Sequence, residues 1–198
     1  MSIFSNHAGR ASVTNWIMKL IYLGNVLLLI GATLCTPLRA ETPAGSETTS
    51  PLNPIAFLTK HEWDAKLPDS PDGTKMKIHA QFTWSQNRQA IRISNQFVVD
   101  GKAQPYIDGL YAWDPQQHVI VFWYVDAGGS LTKGTVKVEG GKLVHEFEEI
   151  APDGKSSAYV AKVTPDGEQG WGNEIFARRG TELTPMVKVR YEVAESPY

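Results

Sequence analysis

From Lys60 onward the sequence alternates between apolar and polar residues, and turn signals interrupt the alternation at short, regular intervals. Pro-Asp-Gly occurs three times, at 71–73, 152–154 and 165–167, and Asp100-Gly101, Gly128-Gly129 and Gly140-Gly141 add further breaks. Alternation places successive side chains on opposite faces of a strand, and these tri- and dipeptides supply the φ values that tight turns require. Nine strand-like runs lie between the breaks, at about 75–86, 89–99, 105–113, 118–126, 130–138, 142–150, 156–164, 170–178 and 185–194, with a tenth at about 61–67. No stretch in this region has helical periodicity, so the connections are hairpins and the sheet is antiparallel.

Ten such strands make a sheet that splits or closes, and closure removes the exposed edges. The alternation favours a barrel with one apolar lining. Met76, Ile78, Ala80, Phe82 and Trp84 share a face, as do Ile91, Ile93, Phe97 and Val99, and again Val187, Val189, Tyr191 and Val193. The expected fold is therefore all-β, an antiparallel up-and-down barrel of about ten strands. One short helix precedes it, with Asn53 as N-cap, Pro54 at the first helical position and Leu52 stapled to Phe57. The run 118–126 is apolar on both faces, which calls for a cover such as that helix.

The first forty residues read as an export signal. Arg10 and Lys19 precede nineteen uncharged residues from Leu20 to Leu38, and Ala40 offers a cleavage site, with Ala44 as a second one. An uncleaved anchor of the same segment is the alternative. Residues 41–51 are small, polar and proline-punctuated, a linker, and 52–198 form the barrel domain. Without the three basic residues of the first forty (Arg10, Lys19, Arg39), 16 Lys and Arg face 21 Asp and Glu, a net charge of −5. That balance opposes nucleic acid and anionic membrane surfaces as partners, and leaves no membrane association beyond the signal. The sole cysteine, Cys35, falls inside the signal, so the exported part carries no thiol. A periplasmic or secreted location follows from both observations.

A short helix, a strand-opening Trp63, a meander and a closing strand with Arg190 together resemble the calycin superfamily, which includes lipocalins, fatty-acid-binding proteins and nitrobindin-like barrels. The stretch from Pro54 to Trp63 is similar to the opening of secreted bacterial lipocalin-like proteins, and Asp108–Asp114 with Phe122-Trp123-Tyr124 resembles their middle. The resemblance implies an up-and-down barrel that binds a small molecule, with Arg190 packed on Trp63 as a structural pair. Two features depart from the pattern. His61 stands where the family has Gly, and Arg190 and Tyr191 are adjacent, so they point to opposite faces and cannot form the carboxylate clamp of the fatty-acid-binding proteins.

Aromatic residues carry the functional expectation. Trp84, Tyr111, Trp113, Phe122, Tyr124 and Phe147 are read as the lining for an apolar or amphipathic ligand, and alternatively as side chains that fill the barrel. His145, between Leu143 and Phe147 on one face, is read as orienting the ligand, or as a buried histidine satisfied by a neighbour. The resemblance to nitrobindin-like barrels also makes it a candidate haem ligand, although no cofactor is the primary expectation. His79 belongs to an outer face, His118 to a turn and His61 to the barrel end; no spacing among them builds a zinc site from near neighbours. Glu146 and Glu148 are spaced like glycosidase carboxylates but belong to the outer face. Asp108 is read as partly buried, shaping the bend at Gly109. Serine-nucleophile, phosphate-binding and dinucleotide motifs are absent. The sequence thus reads as a small-molecule-binding protein rather than an enzyme. A cyclase or isomerase on the same barrel and a filled barrel acting as an interaction module are the alternatives.

Overall fold

The computed structural model describes residues 50–68, 70 and 72–195; the expected export signal and most of the expected linker lie outside the described residues. Ten antiparallel strands follow a 3₁₀ helix, Asn53–Lys60: β1 Trp63–Lys66, β2 Met76–Trp84, β3 Ala90–Val99, β4 Lys102–Asp114, β5 Val119–Asp126, β6 Leu131–Glu139, β7 Lys142–Ile150, β8 Ser156–Asp166, β9 Gly170–Arg179 and β10 Glu182–Val193. Each strand pairs with its neighbours in sequence, and β1 closes the barrel on β10 through Trp63 opposite Val193. The hairpins at Asp100-Gly101 and Gly140-Gly141 have two-residue loops with positive φ at both positions, which matches the right-handed strand twist.

The helix differs from the expected one. It begins a residue earlier, so Asn53 is its first residue and not its cap. Leu52 is the N-cap and no side chain caps the helix; Ser50 before it holds the entering turn, its carbonyl accepting the Asn53 N–H at 2.9 Å and its Oγ the Leu52 N–H at 3.2 Å. Leu52, Ile55 and Leu58 are buried, three residues apart, and this spacing forms one face of a helix with three residues per turn. Phe57, the expected staple partner, is only partly buried. The helix packs on β2 and leaves β5 uncovered, so Trp123 and Val125 are 46% and 48% exposed on the outside. The Trp63 indole Nε1 donates to the Leu58 carbonyl at 2.8 Å, tying the helix to the first strand.

Two local features shape the interior. Gly109 and Gly134 face inward opposite Tyr124 and Phe147, respectively. A Cβ on Gly134 would lie 2.3 Å from the Glu146 carbonyl oxygen, so only glycine lets these strands coil this closely. The second feature is a bulge on β4, where the register shifts between Asn95 and Gln96 and Tyr106 is the extra residue between Pro105 and Ile107. Simple alternation from Tyr111 places Tyr106 outside; the bulge turns it inward, 4.1 Å from Phe97 between ring centres. Asp108, expected to be partly buried, is exposed on the outer face.

Candidate functional site

The strands enclose a cavity of about 180 Å³. Leu58 of the helix contributes to its lining at one end, and Tyr106, Ile107 and Tyr124, from the far ends of β4 and β5, line it at the other. Tyr111, Phe122, Tyr124, His145 and Phe147, five of the seven residues expected to meet a ligand, line it together. Trp84 and Trp113 do not. They share the inward parity but lie at the helix end of β2 and β4, where Arg88 covers Trp84 at 5.1 Å and His118 meets Trp113 edge-on at 6.3 Å. Alternation gives the face of a residue and not its height in the barrel.

His145 is the polar centre of the lumen. Its ring contacts Phe122 and Tyr111 with centres 5.4 and 5.9 Å apart, and its Nε2 lies 3.2 Å from the Tyr111 hydroxyl. Burial lowers its pKa to about 4, with the Leu143 carbonyl offsetting part of the effect, so the ring is neutral at neutral pH. Burial likewise pushes the Tyr111 and Tyr191 phenols above their ordinary range. Neither member of the pair then has a pKa near neutrality, where acid–base catalysis is most effective. The arrangement is suited to accepting and donating hydrogen bonds.

The opposite wall was not among the residues expected to meet a ligand, although Tyr191 was placed on the apolar lining. Trp171 and Tyr191 stack face to face, 3.8 Å apart and 5° from parallel, and Trp63 meets Trp171 edge-on at 6.4 Å. Asn95 and Asn173 also line the cavity. Both were visible in the sequence as polar residues on apolar faces, Asn95 between Ile93 and Phe97 and Asn173 between Trp171 and Ile175. Four buried polar atoms find no hydrogen-bond partner among the described residues: Asn95 Oδ1, His145 Nδ1, Trp171 Nε1 and Asn173 Oδ1. All four residues line this one cavity. Unpaired buried polar atoms cost about 1–3 kcal/mol each, so four of them on residues around one space are an unusual concentration.

The expected pairing of Arg190 with Trp63 is corrected. Tyr191 occupies the lumen, so its neighbour Arg190 faces out, with its guanidinium on Asp166 at 2.6 Å and Glu192 at 3.6 Å. Trp63 is buried on the inside. The other sequence candidates are on the exterior. His79 lies 2.9 Å from Asp64 and 3.5 Å from Glu62. Glu146 pairs with Arg178 and with Lys137 at 3.2 Å, and these partners hold it below the usual carboxylate range. Glu148 faces Lys133 at 3.8 Å. Among the described residues no three His, Cys, Asp or Glu side chains converge to hold a metal ion.

The lumen does not fit haem in this arrangement. The cavity is smaller than the roughly 300 Å³ at which cofactor pockets begin, and Nε2 of His145 is engaged by Tyr111. A scan against family models and a search of curated proteins return no match to this chain.

Proposed function

We propose that this is an exported carrier that holds a small, largely apolar molecule inside the barrel. The lumenal cavity carries the reading, because its lining combines aromatic and aliphatic side chains with residues that bear unpaired polar atoms. That composition is the usual one for small-molecule sites, with apolar area supplying about 25 cal/mol per Å² and polar groups setting orientation. The volume restricts the ligand to something smaller than a drug-sized molecule.

The test uses the full-length chain and a simple apolar probe. Toluene raises the unfolding midpoint of a protein that binds it, by mass action on the folded state. Ala161 lines the cavity opposite His145 on the neighbouring strand, and Ala161→Leu places a larger side chain in the same space. The expected result is a toluene-dependent rise for the wild type and none for Ala161→Leu. Equal behaviour of the two proteins contradicts a lumenal site.

An enzyme on the same barrel is the second reading, favoured by the Tyr111–His145 contact. The depressed His145 pKa weighs against it at neutral pH and directs any search for activity to acidic conditions.

A further inference from the structure

Resting on the carrier reading, the pattern of unpaired atoms narrows the class of ligand. Asn95 Oδ1 and Asn173 Oδ1 are acceptors and Trp171 Nε1 is a donor, and each is buried in the cavity wall without a partner among the described residues. The His145 ring is engaged by the Tyr111 hydroxyl at Nε2 and by the Leu143 backbone, so it is not counted among the free positions. No Lys, Arg, Asp or Glu among the described residues lines the space. An ionised group entering it meets no opposite charge and loses its hydration, at a cost that neutral hydrogen bonds do not recover.

We propose that the lumen selects small uncharged molecules bearing an amide-like set of hydrogen-bonding groups. Their polar end sits among Asn95, Asn173 and Trp171. A primary carboxamide supplies two N–H donors for the asparagine oxygens and a carbonyl acceptor for the indole N–H. Its planar body fits beside the stacked Trp171 and Tyr191 rings. The adjacency of Arg190 and Tyr191 agrees with this choice, because the guanidinium that would hold a carboxylate faces the outside.

The experiment compares benzamide, benzoate and toluene by calorimetric titration of the full-length protein at pH 7. Benzamide and benzoate have nearly the same shape and differ in charge, while toluene lacks the polar end. Benzamide is expected to bind at least about tenfold more tightly than benzoate, and more tightly than toluene. Asn173→Leu is expected to bring benzamide down to the toluene level and to leave toluene binding in place; Asn95→Leu is the second variant for the same reading. Benzoate binding as well as benzamide overturns the selection for neutral ligands. Toluene binding with no advantage for benzamide overturns the polar-end assignment and leaves the carrier reading standing. Binding of none of the three removes the carrier reading and this inference with it, and leaves a water-filled lumen.

Discussion

His145 carries a free-energy consequence that can be read without knowing the ligand. Its pKa is about 4 in the folded barrel, against 6.5 in a solvated chain. Between those values the unfolded chain binds a proton that the folded one does not, so stability rises with pH across this window. The contribution is fully present above about pH 6.5 and falls away on acidification toward pH 4, for a total of about 3 kcal/mol. His145→Gln keeps a neutral hydrogen-bonding group beside Tyr111 and cannot titrate in this range. Denaturant melts at a series of pH values should show the slope in the wild type and its loss in the variant. Parallel profiles for the two proteins contradict a buried neutral histidine. At the alkaline end the buried phenols act in the opposite sense: Tyr106, Tyr111 and Tyr191 have raised pKa values, so stability falls once the unfolded chain ionises them above about pH 10.

At the level of elements, the inward glycines set how closely the strands approach. Gly134 sits against Phe147 and the Glu146 carbonyl on β7 and pairs with Phe122 on β5, so a methyl group there must displace backbone. Gly134→Ala is expected to destabilise the barrel by about 1–3 kcal/mol, the range for overpacking, seen as a drop of several degrees in the thermal midpoint. An unchanged midpoint argues against the close approach. All ten strands were legible in the sequence because period-two alternation and tight-turn chemistry agree from Lys60 onward. The bulge at Tyr106 was not, since one extra residue reverses the face of everything on one side of it and leaves no mark on composition. Nor was the helix type: Asn53 and Pro54 are an α-helical opening, yet burial at 52, 55 and 58 follows a three-residue turn. Half of the candidate site could be read from aromatics on inward faces. For the other half, Asn95, Asn173, Trp171 and Tyr191, alternation shows the inward face, but which of these strands meet across the lumen is not contained in the periodicity of single strands.

Over the whole molecule, the closed barrel separates two kinds of surface. The outer wall carries the ion pairs, among them Lys77 with Asp64, Lys188 with Glu174, and Arg190 with Asp166. The inner wall is uncharged around the cavity, and its buried polar atoms await partners. Paired charges outside and unpaired neutral groups inside are the arrangement on which the proposed carrier reading rests. The exposed stripe at Trp123, Val125 and Leu131 remains the basis for the rival view of the barrel as an interaction module. The most direct measurement is a native mass spectrum, with an absorption scan, of the full-length protein isolated gently from its own host. The carrier account predicts a discrete added mass that leaves on unfolding and is missing from Ala161→Leu, with no Soret band. A bare polypeptide mass in the wild type contradicts it.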